Sequence, residues 1–261
     1  MIIDFHKFDG AGNDFVIIDA RGRSLPLTPE AIAGICHRRR GVGADGLMTL
    51  SHAEGYDFEM RYYNADGYPA DMCGNGGRCM ALFGHLLGLG ADGRLRFLAA
   101  DGAHEAEILQ WHPDSRQGQV RLGMRDVRRA GMSTLLEGTL LNTGVPHYVV
   151  QVDDLDHYDV VGEGRRLRHH PAFGAEGANI DFVQPMADGT LLVRTYERGV
   201  EDETWACGTG VTACALVTGI GRINARGGSF QVDYQSEPDA YTHIRLTGPV
   251  SYNFKGTITL P

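Results

Sequence analysis

Met72-Cys73-Gly74-Asn75-Gly76-Gly77-Arg78-Cys79 decides the reading of this chain, because it returns in altered form as Ala206-Cys207-Gly208-Thr209-Gly210-Val211-Thr212-Ala213-Cys214. Each copy sets a cysteine at the end of an irregular polar loop. Small residues follow, and then an apolar run that predicts a helix, Met80 to Leu89 in the first copy and Val211 to Ile220 in the second. A Cys-Gly-x-Gly turn opening a helix brings backbone N–H groups and the positive end of the helix dipole beside the sulfur and any bound anion. Both effects lower a thiol pKa from about 8.5 toward neutrality and favour the thiolate. Two cysteines so placed suggest paired proton-transfer groups.

Working outward, the spacing repeats. The interval from Gly43-Ala44-Asp45 to Cys73 equals the interval from Gly177-Ala178-Asn179 to Cys207. Asn13 precedes the first cysteine by the same distance in sequence as His147 precedes the second. Arg61-Tyr62-Tyr63-Asn64 and Arg194-Thr195-Tyr196-Glu197 also stand ahead of their own cysteines at intervals that differ by a single position. The chain therefore reads as two pseudo-symmetric halves of one fold, with Cys73 and Cys207 presented from opposite sides of a site between them.

The local pattern supplies the elements. Phe5 to Phe8, Phe15 to Asp19, Leu47 to Leu50 and Phe58 to Tyr63 read as strands, as do Leu95 to Leu98, Ala103 to Trp111 and Gln119 to Met124. Thr28-Pro29-Glu30 opens a helix of about ten residues with Thr28 as N-cap, and His37-Arg38-Arg39-Arg40 falls in its last turn, where basic residues complement the dipole. Short strands with one helix make an α+β half. The expected boundaries are 1–119 for the half with Cys73 and 120–247 for the half with Cys207. The arginine-rich segment from Met124 to Gly138 is a crossing between halves, and 248–261 is a last strand returning to the first.

Bulk properties narrow the partners. The 261 residues are 43% apolar and 22% charged, as in a globular protein. With 24 basic against 33 acidic residues the net charge is −9, which argues against nucleic acid or an anionic membrane as the main partner. No apolar run approaches the ~20 residues of a membrane span, and Met1-Ile2-Ile3-Asp4-Phe5-His6-Lys7 lacks the layout of a signal peptide. Five cysteines, an odd number, fit reduced thiols in a cytoplasmic protein.

Other chemistries fit less well. Cys-x5-Cys and Cys-x6-Cys do not match the spacing of zinc knuckles, and Cys79 and Cys214 fall well inside the helices. Gly10-Ala11-Gly12-Asn13-Asp14 half-resembles a dinucleotide fingerprint, but Phe15 stands where the third glycine belongs. A Cys-His hydrolase with His147 as base leaves one cysteine idle. Two thiols suit a reaction in which a thiolate removes a proton from a carbon acid while a thiol returns one on the opposite face, inverting the centre. Asn13, Asn64, Asn179, Glu197 and Arg198 form a second polar cluster. Arg198 suits a bidentate grip on a carboxylate, and Glu197 or the Asn amides suit an ammonium group.

These stretches resemble the diaminopimelate epimerase family. The resemblance runs through Gly12-Asn13-Asp14-Phe15, Gly41 to Gly46, Tyr63 to Gly67, Cys73 to Cys79, Pro146-His147, Ala178-Asn179, Tyr196-Glu197-Arg198-Gly199 and Ala206 to Gly210. It implies two domains, each a barrel-like, mostly antiparallel sheet around a central helix, with the active site in the cleft between them. It implies Cys73 and Cys207 as the acid/base pair, and Gly74, Asn75, Gly208 and Thr209 as the cradle of the reacting carboxylate. Asn13, Asn64, Asn179, Glu197 and Arg198 match the residues that hold the substrate, and His147 and Glu197 match a pair that tunes the thiols. The expected reaction interconverts LL- and meso-2,6-diaminopimelate, for lysine and peptidoglycan precursors, with a small molecule as partner and neither cofactor nor metal. A homodimer stays open. Two departures bear on the substrate: Val145 replaces an Asn that many members carry, with Asn142 nearby, and Gly46 stands where some members have Gln. Proline, hydroxyproline and other amino-acid racemases of the same fold are the alternative, and a non-catalytic amino-acid-binding protein would have lost a cysteine that this chain retains.

Overall fold

The computed structural model describes residues 1–260. Two compact units emerge, Met1–Leu122 with Pro249–Pro261, and Gly123–Gly248. In the first, β1 (Ile2–Gly10) and β2 (Asn13–Asp19) lead to α1 (Pro29–Cys36), then β3 (Gly46–Ser51), β4 (Phe58–Asn64), β5 (Pro69–Ala70) and α2 (Gly74–Leu86). Strands β6 (Arg94–Ala99), β7 (Gly102–His112) and β8 (Gln117–Gly123) follow. The second unit opens on β9 (Val127–Arg128), β10 (Ser133–Leu135), β11 (Gly138–Asn142) and β12 (Pro146–Gln151). Next come α3 (Val160–Arg168), β13 (Asn179–Pro185), β14 (Leu191–Glu197), β15 (Asp202–Thr204) and α4 (Gly208–Thr218). It ends with β16 (Arg222–Ala225), β17 (Gly228–Ser236) and β18 (Ala240–Thr259), whose residues from Pro249 onward belong to the first unit.

Both units pair their strands in the same senses. In the first, β2 runs parallel to β3 and β4 to β6, while β1–β2, β3–β4, β6–β7 and β7–β8 are antiparallel. Because β18 pairs with both β1 and β8, eight strands close on themselves. In the second, β12 runs parallel to β13 and β14 to β16, while β11–β12, β13–β14, β16–β17 and β17–β18 are antiparallel. Each parallel pair needs a crossover: α1 supplies it between β2 and β3, α3 between β12 and β13. The expected α+β halves are thus present, and related. No helix among the described residues is long and apolar enough to cross a membrane.

Helices α2 and α4 are the centres of their units. Helix α2 packs on β1, β2, β3, β4, β6 and β7, and every residue from Gly74 to Gly84 is buried. Helix α4 packs on β11 to β14, β16 and β17. A helix surrounded by sheet is apolar or small on most sides, and in α2 Arg78 and Asn75 are the buried polar exceptions. Both helices start earlier than expected, at Gly74 rather than Met80 and at Gly208 rather than Val211. The sequence reads these glycines as turns, but tertiary packing overrides their poor helix propensity, and each cysteine becomes the N-cap.

Two further expectations change. Thr28 does cap α1, its hydroxyl accepting from Ala31 N at 3.2 Å, but the helix ends at Cys36 after 8 residues. The basic run lies beyond it, and Arg38 turns back to carboxylates instead of complementing the helix end. The segment from Met124 to Gly138, expected as a plain crossing, holds β9, a 3-10 turn at Arg129–Gly131 and β10.

Packing predicts opposite outcomes for two helical glycines. A Cβ on Gly164 would stand 2.4 Å from the Cβ of buried Tyr196, so Gly164→Ala costs about 1–3 kcal/mol by overpacking. Nothing lies within 4 Å of the corresponding position on Gly34, so Gly34→Ala gains about 0.5–1 kcal/mol from helix propensity. Urea unfolding of both variants checks the pair, and the same sign for both contradicts the packing described.

Candidate active site

In the first unit, Cys73 caps α2 with extended backbone and makes no side-chain capping bond, so the first-turn N–H groups face the helix mouth. The Cys73 thiol donates to Asn13 Oδ1 at 3.5 Å. Asn13 sits where β1 turns into β2, a two-residue hairpin in which Ala11 (φ 61) and Gly12 (φ 90) are both left-handed, the twist a tight hairpin prefers. Its amide donates to Asp45 Oδ2 at 2.7 Å. Arg38 grips Asp14 with both guanidinium nitrogens, at 3.0 and 2.7 Å, and Asp45 at 2.6 Å. Lys7, only 4% exposed, lies 2.5 Å from Asp14 and also donates to Gly43 O. Behind the cysteine, the fully buried Arg78 donates to Asn75 Oδ1 at 2.9 Å and Gly74 O at 3.3 Å, holding the first turn.

Asn64 ends β4 with an exposed side chain and pairs in register with Gly46. A Cβ at Gly46 would lie 2.5 Å from both Tyr62 Cε2 and Tyr63 O. A larger residue there requires the neighbouring strand to shift.

In the second unit, Cys207 caps α4 in the same extended way and is 9% exposed. Its sulfur is 3.3 Å from Thr209 Oγ1, which is 2.9 Å from His147 Nε2. His147 Nδ1 is 2.7 Å from Asp181 Oδ2, and Thr195 donates its hydroxyl to Asp181 Oδ1 at 2.7 Å. His147 and Asp181 are both fully buried. Asn179 donates to Pro146 O at 3.1 Å and accepts from Arg198 N at 2.8 Å. The Arg198 guanidinium stands 3.7 Å from exposed Glu176. Near Val145, Asn142 spends its carbonyl oxygen on Gly144 N at 2.9 Å.

Electrostatics set the protonation states. Burial disfavours the His147 cation, but the Asp181 carboxylate and then the Cys207 sulfur outweigh it and raise the imidazole to about 10. Burial pushes the Cys207 thiol up, the Glu197 charge pushes it further, and the His147 imidazole only partly opposes them. The expected lowering by the helix terminus is therefore reversed at Cys207. Burial holds Cys79 and Cys214 well above the ordinary thiol range.

Geometry thus gathers Asn13, Gly74, Asn75 and Cys73 in one unit, and His147, Asn179, Arg198, Cys207, Gly208 and Thr209 in the other. Among the described residues no group of three or more His, Cys, Asp or Glu side chains could hold a metal ion. Asp45, Arg38, Arg78, Asp181 and Thr195 are not singled out by the sequence. Asp45 carries a signal there, since its interval to Cys73 equals that from Asn179 to Cys207. The side chain at the fifth position past each cysteine also repeats its role: Arg78 binds Gly74 O, and Thr212 binds Gly208 O at 2.9 Å.

A family model described as diaminopimelate epimerase matches residues 5–125 and 139–243. The diaminopimelate epimerase of Flavobacterium psychrophilum is 39% identical over 262 residues, covering 97% of this chain and 99% of that protein. The enzyme of the same name from Chlorobaculum tepidum is 40% identical over 264 residues, covering 96% and 99%. Among solved structures, a Bacillus anthracis phenazine biosynthesis protein of the PhzF family superposes with a TM-score of 0.72 at 15% identity over all of both chains. A probable proline racemase from Agrobacterium radiobacter gives 0.71 at 16%, covering 99% of this chain and 93% of that one. At such identities the two structures establish the shared fold.

The Arg38–Asp14–Lys7 cluster gives acid sensitivity. Burial acts to raise the Asp14 carboxyl, but hydrogen bonds and charge from Arg38 and Lys7 win and hold it at about 2, below the ordinary 3.8. A depressed carboxyl contributes stability that is present above its unfolded value and lost as pH falls through its folded one. Asp14→Asn should flatten the loss of stability between about pH 4 and pH 2, read by urea unfolding across that window. An unchanged acid slope contradicts the assignment.

Proposed function

The chain belongs to the diaminopimelate epimerase family, and from that premise we propose that it interconverts LL- and meso-2,6-diaminopimelate with Cys73 and Cys207 as its two acid/base groups. The supporting observation is the duplicated geometry: in each unit a cysteine caps a buried helix whose first-turn N–H groups face the same mouth as the sulfur. One thiolate takes the α-proton, and the charge left behind spreads into the adjacent carboxylate. The N–H groups of Gly74, Asn75, Gly208 and Thr209 are fixed donors for that carboxylate, and fixed donors stabilise developing charge without reorganising. The other thiol then delivers a proton to the opposite face, which inverts the centre. Burial and the Glu197 charge raise the Cys207 thiol and so favour its protonated form.

The distal amino-acid end needs a grip on a carboxylate and on an ammonium. Arg198 supplies the first, and Asn13, Asn64, Asn179 and Glu197 supply amide and carboxylate oxygens for the second. His147 and Glu197 act on Cys207 with opposite sign, one stabilising the thiolate and the other the thiol. The chemistry proposed uses no cofactor. A cytoplasmic location completes the reading.

Replacing either sulfur tests it. Cys73→Ser and Cys207→Ser should each lower turnover of LL-diaminopimelate by about 10²–10⁴-fold, the usual worth of a positioned acid/base, with unchanged circular dichroism. Near-normal turnover in either variant contradicts the two-thiol mechanism. A higher kcat/KM for proline, 4-hydroxyproline or histidine would keep that mechanism and move the substrate.

A further inference from the structure

Asp181 is a buried carboxylate that the two-thiol chemistry does not itself use. In the other half Met48 takes the equivalent place: it stands opposite Tyr62 on β4 as Asp181 stands opposite Thr195 on β14, and it faces Gly76 of α2 as Asp181 faces Gly210 of α4. Met48 is fully buried on β3 as Asp181 is on β13, so the fold accepts an apolar side chain at this position. A buried ion pair is no better for stability than well-packed apolar residues. Packing alone therefore gives no reason for a carboxylate here.

Its contacts supply one. Both oxygens are engaged: Oδ2 lies 2.7 Å from His147 Nδ1, and Oδ1 accepts the Thr195 hydroxyl at 2.7 Å. In register, Asp181 stands opposite Thr195 on β14, and His147 stands opposite Asn179, two positions before Asp181 on the same strand. Gly210 of α4 lets the pair come close, since a Cβ there would be 2.5 Å from Asp181 Oδ1 and 3.1 Å from His147 Cε1. The ring so fixed points Nε2 at Thr209, and Thr209 stands next to Cys207.

We infer that Asp181, clamped by Thr195, is a positioning residue for Cys207: it holds His147 as a cation whose charge reaches the sulfur through the Thr209 hydroxyl. His147 Nε2–H donates to Thr209 Oγ1, and Thr209 O–H donates to Cys207 Sγ. When Cys207 gives its proton to the substrate carbon, the S–H bond breaks, a C–H bond forms, and the thiolate left behind meets a donor already in place. The groups facing this chain are Glu197, which disfavours the thiolate, and Cys214, itself buried and protonated beside Asp181 and Cys207. Asp181 also acts on Cys207 directly, against the thiolate, but more weakly than His147 acts for it. The inference rests on the two-thiol reading for its purpose, not for its test.

The test reads proton binding instead of turnover. In the full-length protein, [3-13C]cysteine and [13Cε1]histidine are titrated by NMR, with Cys207→Ser and His147→Gln spectra assigning the two signals. Asp181→Asn should bring the His147 midpoint down from about 10 toward the ordinary 6.5 and move the Cys207 midpoint up. Each unit of that rise removes about tenfold of the thiolate at neutral pH. Thr195→Val should move both midpoints the same way by less, and it decides alone if Asp181→Asn does not fold. Unmoved midpoints in the folded variant overturn the inference. A wild-type protein inert toward diaminopimelate would leave these titrations intact and would count against the proposed reaction only.

Discussion

A helix enclosed by its own sheet presents its unpaired first-turn N–H groups only at its mouth. The arrangement of this protein follows from that constraint. Helix α2 is buried from Gly74 to Gly84, and Gly76 and Gly77 of its first turn lie against the Met48 and Met72 side chains. The same small residues leave the backbone bare, and a carboxylate can approach it. A cysteine at the N-cap then places sulfur beside those donors in each unit. Glycine content, helix position and N-cap thiol recur together in both units.

The two copies share geometry but differ in electrostatics. Around Cys73 stand an amide, Asn13, tied to Asp45 and through it to Arg38, and the buried Arg78 guanidinium, whose charge interacts with the sulfur. Around Cys207 they form a hydroxyl–imidazole–carboxylate chain with Glu197 acting against it. A reversible proton exchange between two thiols needs one to hold a proton while the other lacks it. Identical surroundings would leave that choice to chance. Breaking the His147–Asp181 pair by removing one partner costs about 3–5 kcal/mol in typical buried pairs, so this asymmetry is also anchored in the stability of the second unit.

Much of this is legible in the residues. The paired cysteine motifs, and the landmarks repeated at equal intervals ahead of them, imply two related halves, and β-branched and aromatic runs locate most strands. Helix starts are not legible, because Gly74 to Gly77 and Gly208 to Gly210 look like turns until the surrounding sheet buries them. Arg38 looks like a dipole partner in a basic run, and only the fold brings it to Asp14 and Asp45. Asp181 sits inside Asn179-Ile180-Asp181-Phe182-Val183, where every residue is buried. An acid in so apolar a strand is the available clue. Its partners, His147 and Thr195, come from the two flanking strands, and that adjacency exists only once the strands pair.

The most direct test of the central claim is proton NMR of LL-diaminopimelate with the reduced protein in D2O. The account predicts that deuterium enters the α-position as the meso isomer appears, because the proton returned comes from a thiol in exchange with solvent. Meso product formed with its α-proton retained, or no change in the substrate at all, would contradict it.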